Sequence, residues 1–166
     1  MDIFKQTFQQ QSIRLLDHTN IQTIFGKTFD AQATFAIEDA IATTVGQQYA
    51  PATIRLWVHR PTLVLGIPDS RLTHLQAGVD YMHTLGYHVI VRNSGGLAVL
   101  LDQNVLNISF LLPNKQRMSI NEGYDLMYSF TKQLFAQERA NILAYEIEGS
   151  YCPGDYDLSI DGKKFA

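Results

Sequence analysis

Arg92-Asn-Ser-Gly-Gly-Leu-Ala-Val-Leu-Leu-Asp-Gln-Asn-Val-Leu-Asn-Ile-Ser109 runs from a cation through a small polar pair and two glycines into an apolar stretch rich in branched residues. Gly95 and Gly96 can adopt backbone angles closed to other residues and let a ligand approach the main chain. Arg92 lies three positions before the first of them. A loop of this chemistry holds a carboxyl, carbonyl or phosphate group through N–H donors and one guanidinium. By itself a Gly-Gly pair is more often a turn than a site. A second segment changes the balance: Gly149-Ser-Tyr-Cys-Pro-Gly-Asp-Tyr-Asp-Leu-Ser-Ile-Asp-Gly-Lys-Lys-Phe165 holds the only cysteine of the chain.

Outward from the glycine pair, the apolar pattern divides into short elements. Ala98–Leu101 and Val105–Leu112 read as two strands of a hairpin around Asp102-Gln-Asn104. Upstream, Tyr87 to Val91 is a strand. Leu72, Leu75, Val79 and Met82 follow helical spacing, with Gly86 at the expected C-terminal stop. Thr53–Val58 and Thr62–Ile67 are strands separated by His59-Arg60-Pro61. Phe35, Ile37, Ile41 and Val45 suit a helix over Thr34–Gln48, with Thr34 as N-cap. Residues 4 to 17 fit a helix or an extended arm. Downstream, Ser119-Ile-Asn-Glu122 has the capping-box pattern. It opens a helix whose face is Ile120, Tyr124, Met127, Thr131, Leu134 and Phe135. Tyr145–Ile147 reads as a short strand. Asp157–Ile160, Asp161-Gly162 and Lys163–Ala166 form the clearest hairpin signal. Helices and strands do not strictly alternate. The expected fold is therefore α+β, a mixed, mostly antiparallel sheet with helices packed on it, as one domain over 1–166.

With 166 residues, 46% hydrophobic, the chain is long enough to bury a sizeable core. A net charge of −3 leaves no basic surface for nucleic acid. Apolar runs fall short of a membrane span, and no cationic start leads into an apolar leader. One cysteine permits no internal disulfide, so a reducing cytoplasm is the expected setting. The chain stops at Lys-Lys-Phe-Ala, within what reads as a hairpin, and so reads as cut short at its C-terminus.

Cys152 is the leading chemical candidate. A buried structural cysteine is the commoner case, but Tyr151, Pro153, Gly154 and Asp155 are loop-formers, and an accessible loop thiol is a nucleophile. Lys164 is the obvious candidate cation and would favour the thiolate. A two-residue Asp161-Gly162 turn sets Ser159 opposite Lys164 and Leu158 opposite Phe165. Leu158 and Phe165 then point together into the core, and Lys164 points the other way with Ser159 and Asp157. The bland alternative is a solvated lysine. A straight strand would leave Cys152 about 20 Å from Ser159, at about 3.3 Å per residue. The thiol reaches Lys164 only if Pro153-Gly154 folds back. The five histidines show no metal-ligand spacing, so no metal is expected. Glu38 and Asp39 read as a solvated helix face, and Asp102 as a turn residue.

The two segments together resemble the biotin/lipoate protein ligase superfamily. Arg92-Asn-Ser-Gly-Gly-Leu-Ala-Val-Leu-Leu-Asp102, with Asn107-Ile-Ser109, is similar to its signature, in which an Arg and a Gly-Gly pair lead into a strand lining the acyl pocket. Pro61-Thr-Leu-Val-Leu-Gly66 resembles the strand just upstream. Lys164-Phe-Ala166 matches the family site whose lysine contacts the acyl carbonyl. Gly149-Ser-Tyr-Cys-Pro-Gly-Asp-Tyr-Asp-Leu-Ser is similar to the acyltransferase branch, where a loop cysteine carries the acyl group as a thioester. The resemblance runs from about residue 30 to the end, and the family continues past it. It implies Cys152 and Lys164 as catalytic residues. It also implies substrate binding by Arg92, Ser94, Gly95, Gly96, Ala98 and Asn107. The implied donor is octanoyl-lysine on the glycine cleavage H protein. The implied acceptors are lipoyl domains of 2-oxoacid dehydrogenase subunits. ATP-using ligases of the superfamily carry Arg-Arg before the glycines and His-Asp after them. Here Asn93 and Leu101 replace the second Arg and the His, which implies no cofactor. On this reading Lys164 points into the same cleft as Gly95-Gly96, and the Arg92–Gly96 loop borders the largest apolar pocket. The alternatives are an ATP-dependent lipoate ligase, an acyl transferase fed by acyl carrier protein, and a non-catalytic acyl-binding domain of the same fold.

Overall fold

The computed structural model describes residues 12–20, 23–24, 27–28, 30–113 and 118–166. Contacts divide the chain into two units, one built on Ile13–Pro113 and another whose described body is 118–166.

In the Ile13–Pro113 unit, β1 (Arg14–His18), β4 (Thr53–Trp57) and β8 (Asn107–Leu111) form one sheet in the order β1-β4-β8. β5 (Thr62–Leu65), β6 (His88–Val91) and β7 (Val99–Leu101) form another, in the order β6-β5-β7. Two-residue strands β2 (Thr23–Ile24) and β3 (Lys27–Thr28) pair with each other. Pro61 explains the separation of β4 from β5. It lacks a ladder donor just before β5, so β4, which ends at Trp57, is not continued into Thr62, and the chain enters a different sheet there. β1–β4 and β5–β6 run parallel, and every other pairing among the described strands is antiparallel. The expected α+β fold with mixed, mostly antiparallel pairing is therefore what the chain forms.

The expected hairpin of residues 98–112 does not form. β7 pairs with β5 through Thr62↔Leu101, and β8 pairs with β4 through Trp57↔Asn107. Asp102 turns the corner between the two sheets: its Oδ1 accepts the Asn104 N–H at 2.7 Å, and its carbonyl accepts that of Val105 at 3.2 Å. The turn chemistry was legible, but the strand partners depend on β4 and β5, dozens of residues away. Residues 14–18, open between helix and extended arm, are strand; residues 4–11 lie outside the described residues.

Helix α1 (Ala31–Gly46) packs on the β6-β5-β7 sheet, where Ala31 joins Val64, Ile90 and Leu101 in a buried cluster flanked by Phe35 and Val99. Each large side chain removed from water there contributes about 1.5–3 kcal/mol. Its N-cap is Asp30, not Thr34: the Asp30 carboxylate accepts the Ala33 N–H at 2.6 Å. Thr34 lies one turn further in, fully buried, with its hydroxyl donating to the Asp30 carbonyl. Helix α2 (Leu75–Thr84) ends as expected at Gly86. With φ +80°, that glycine lets its N–H reach the His83 carbonyl and the Tyr87 N–H reach the Met82 carbonyl.

In the 118–166 unit, α3 (Ile120–Leu134) opens on the expected Ser119–Glu122 capping box. The expected stripe does lie on one side of the helix, and the buried residue lies off it. Leu126 is buried, whereas Ile120 is 79% exposed and Tyr124, Met127, Leu134 and Phe135 are exposed as well. Strands β9 (Ile142–Ala144), β10 (Leu158–Ile160) and β11 (Lys163–Lys164) form its antiparallel sheet. β9 begins three residues before the expected strand at Tyr145. The ladder ends where the Asp157 side chain, rather than a main-chain group, takes the Ile147 N–H. The β10–β11 hairpin has the expected register, Ser159↔Lys164 and Ile160↔Lys163. Asp161 (φ +50°) and Gly162 (φ +74°) supply the two left-handed turn residues. Phe165 departs from expectation: it is 46% exposed and meets Phe135 edge-on. The N–H groups of Phe165 and Ala166 both reach the Leu158 carbonyl, so two residues oppose one and the pairing slips after Lys164.

Candidate active site

The cysteine loop folds back. Cys152 takes a left-handed backbone, φ +47°, just after Gly149 at φ +75°. A side-chain-bearing residue there costs about 1–2 kcal/mol and persists only where its surroundings hold it. Lys164 provides part of that hold. Its Nζ donates to the Tyr151 carbonyl at 2.8 Å and the Cys152 carbonyl at 2.9 Å, and pairs with Asp157 Oδ1 at 2.7 Å. An ammonium has three protons, and three acceptors are present. Lys164 is therefore not the solvated lysine of the bland alternative; its side chain is 21% exposed and anchored to the cysteine loop. Cys152 itself is half-buried.

Asp157, which the sequence reading placed only as a neighbour of Lys164, is 5% exposed. Burial alone would raise its carboxyl pKa. Hydrogen bonds from Lys164, Ile147 and Gly154, with the Lys164 charge, outweigh that and hold it below the ordinary value.

The Gly95-Gly96 loop belongs to the other unit. Arg92 Nε and Nη2 both donate to the Gly95 carbonyl, at 3.0 and 2.8 Å, and Nη2 also donates to the Leu97 carbonyl at 2.8 Å. These guanidinium donors shape the loop itself. Gly96 has φ +90°, and a Cβ there would lie 2.6 Å from Arg92 Nη2. Gly66 is required for a related reason: its Cβ would collide with the Gly96 carbonyl oxygen. A Cβ on Gly95 would meet nothing. Ser94 is exposed, Ala98 half-buried, and Asn107 Nδ2 donates to the Trp57 and Val105 carbonyls. Asn93 Nδ2 reaches Asp39 Oδ2 at 3.0 Å, which ties the loop to α1. Leu101 is part of the buried cluster.

Glu38 is not a solvated face. It pairs with Arg55 at 2.6 Å, and Arg55 is fully buried beneath Trp57, with its Cζ 4.8 Å from the ring centroid. Next to them His59 is 3% exposed, its ring tilted against Phe35 and edge-on to Trp57. Burial, and secondarily the Arg55 charge, push its pKa down to about 4. No local pattern announces this cluster, because Glu38 and Phe35 come from α1 while Arg55 and Trp57 come from β4 and His59 from the loop after it. An apolar cavity of about 610 Å³ lies between β5 and α2, lined by Leu63, Leu65, Leu75, Val79 and Met82 among others. Neither the Arg92–Gly96 loop nor residues 98–111 line it, so the expected pocket is not this cavity. Among the described residues no three His, Cys, Asp or Glu side chains come together as a metal site, and no helix is long and apolar enough to cross a membrane.

Residues 30–166 match the model of the lipoyl protein ligase A/B catalytic domain. The chain belongs to this family. Among its relatives, the octanoyl-[GcvH]:protein N-octanoyltransferase of Oceanobacillus iheyensis is 47% identical over the whole chain and 60% of that relative. The protein of the same name from Lysinibacillus sphaericus is 50% identical over 98% of this chain and 57% of the relative. A lipoyl-[GcvH]:protein N-lipoyltransferase of Listeria monocytogenes is 46% identical, covering 100% and 59%. The chain thus spans about 60% of the length of these curated relatives. The fold is also that of lipoate-protein ligase A bound with ATP (TM-score 0.66, 18% identity, 93% of this chain and 58% of that one). The Thermoplasma acidophilum protein Ta0514 with bound lipoic acid is similar too (TM-score 0.64, 19% identity, 93% and 59%).

Proposed function

We propose that the protein is an octanoyl amidotransferase of protein lipoylation, with Cys152 as acyl carrier. The observation that carries this reading is the Lys164 ammonium seated on the carbonyls of Tyr151 and Cys152, within a family whose similar members are named acyl transferases. The donor is the octanoylated H protein named in those relatives, and the acceptor is a lipoyl-domain lysine of a 2-oxoacid dehydrogenase subunit. The Cys152 sulfur attacks the octanoyl carbonyl, a C–S bond forms and the amide C–N bond breaks. The thiol proton leaves on the freed donor lysine. The acceptor amine then attacks the thioester, C–N forms, C–S breaks, and the displaced sulfur regains a proton. Lys164 exchanges one carbonyl partner for the acyl oxygen as charge develops there.

Arg92, Ser94, Gly95, Gly96, Ala98 and Asn107 serve substrate binding in this reading. Open space over Gly95 supports close approach of an acyl group to the main chain. Each buried methylene of the chain contributes about 0.8 kcal/mol to selection by length. Because one amide is exchanged for another, no nucleotide energy source is required. Asn93 held by Asp39 and Leu101 in the core support the same reading. The reaction belongs in a reducing cytoplasm, where a lone thiol stays reduced. The name of the Listeria relative favours lipoyl as a second acyl group.

The test is transfer from octanoylated H protein to a lipoyl domain without nucleotide, beside a lipoylated donor. Octanoyl transfer without ATP is expected. Faster transfer from the lipoylated donor moves the assignment to lipoyl, and activity only with ATP and free lipoate makes the protein a ligase.

A further inference from the structure

The Asp157 carboxylate accepts four hydrogen bonds, and none comes from a neighbouring strand's main chain in the β9-β10-β11 sheet. Oδ1 takes Lys164 Nζ at 2.7 Å and the Gly154 N–H at 3.1 Å. Oδ2 takes the Ile147 N–H at 3.1 Å and the Ser150 hydroxyl at 3.3 Å. The Asp157 N–H donates to the Gly154 carbonyl at 3.0 Å. Ile147 and Ser150 precede Cys152, and Gly154 follows it. One buried carboxylate therefore grips both arms of the cysteine loop and the lysine that touches its tip. The hairpin gives no reason for this, since its register follows from Asp161 and Gly162. Such a carboxylate is costly to bury unless paired and hydrogen-bonded, and its bonds converge on the segment that holds Cys152 in a left-handed conformation.

We propose that Asp157 is a positioning residue for acyl transfer: it fixes the Cys152 loop and aims Lys164 at it. The proposal rests on the reading of Cys152 as acyl carrier. Asp157 touches neither the thiol nor the acyl group; it acts through Lys164 and through the amides of Ile147 and Gly154. Asp157→Asn keeps the shape but turns one acceptor into a donor, which faces N–H or O–H donors on either side. The loop then loses a grip on one arm, and Lys164 loses its counter-charge.

The experiment follows octanoyl-Cys152 formation by rapid-quench mass spectrometry, with octanoylated H protein varied, in the wild type, Asp157→Asn, Lys164→Met and the double variant. Asp157→Asn is expected to slow acylation about 10- to 100-fold, with donor half-saturation within about threefold of wild type. The double variant is expected to be faster than the product of the two single losses predicts, because the part of the Asp157 role that runs through Lys164 is already gone in Lys164→Met. Acylation by Asp157→Asn within about twofold of wild type, or multiplied losses in the double variant, overturns the positioning role. A wild type that never acylates Cys152 instead overturns the carrier reading, and the positioning role with it. If Asp157→Asn loses its cooperative thermal transition, Ser150→Ala replaces it, removing a single donor to the same carboxylate. A loss of about two- to fivefold in acylation at unchanged melting is then expected, and no loss overturns the proposal.

Discussion

Replacing Lys164 by methionine removes three hydrogen bonds and one charge while keeping most of the side-chain volume. The largest consequence falls on Asp157, buried and left without its cation. Breaking a buried pair costs about 3–5 kcal/mol. Here the carboxylate keeps Gly154, Ile147 and Ser150 as donors, and the lysine side chain is 21% exposed, so water reaches the vacated position. Tyr151 is exposed, and its carbonyl exchanges the lysine for water at little cost. The expected destabilisation is about 2 kcal/mol, equivalent to a fall in Tm of about 4–8 °C for a chain of this size. Urea unfolding measures it directly, through a lower midpoint at unchanged slope. The loss should also concentrate locally, with faster amide exchange at Gly154 and Ile147 than across β4. A variant within about 0.5 kcal/mol of wild type, the range of an ordinary surface substitution, would refute the claim that Lys164 anchors the cysteine loop.

His59, with its pKa lowered to about 4 from 6.5, binds fewer protons folded than unfolded. Its contribution is therefore complete above pH 6.5 and lost as pH falls toward 4, up to about 3 kcal/mol; His59→Phe should flatten that slope, leaving the smaller part due to His18, whose pKa is lowered also, mainly by burial. Gly66→Ala and Gly96→Ala should each lower Tm measurably, the first by collision with the Gly96 carbonyl and the second by its φ of +90°, whereas Gly95→Ala, with open space for its methyl, should melt like the wild type. A destabilised Gly95→Ala would show that the loop is packed more tightly than its geometry implies. Asp30→Ala should cost about 1 kcal/mol by removing the α1 cap, and Thr34→Ser should not reproduce a capping loss.

Local chemistry made much of the molecule legible in its sequence. The Asp161-Gly162 turn specified the β10–β11 register, Ser119 and Glu122 marked the start of α3, and Gly86 marked the end of α2. Each of these depends on residues a few positions apart. Features that depend on distant partners were not legible. β7 and β8 read as a hairpin because Asp102 does turn the chain, yet each strand finds its partner across the Pro61 break. The stripe of α3 was legible as one face, but amphipathic spacing does not show whether anything covers it, and its residues are exposed. In the candidate site, Cys152 and Lys164 stood out by residue type. Their approach depended on a fold-back that Asp157 secures through Gly154, Ser150 and Ile147, three bonds with no signature beyond an aspartate near a glycine. The Arg55–Glu38–His59 cluster was hidden for the same reason, since Glu38 alone on a helix is indistinguishable from a solvated carboxylate.

The central claim is that Cys152 carries the acyl group. Intact-mass spectrometry after mixing the protein with octanoylated H protein tests it most directly, with Cys152→Ser in parallel. A mass increase of one octanoyl group is expected on the wild type, removed by hydroxylamine and absent from Cys152→Ser. An unmodified wild type while octanoyl transfer to a lipoyl domain proceeds, or an equal adduct on Cys152→Ser, would contradict it.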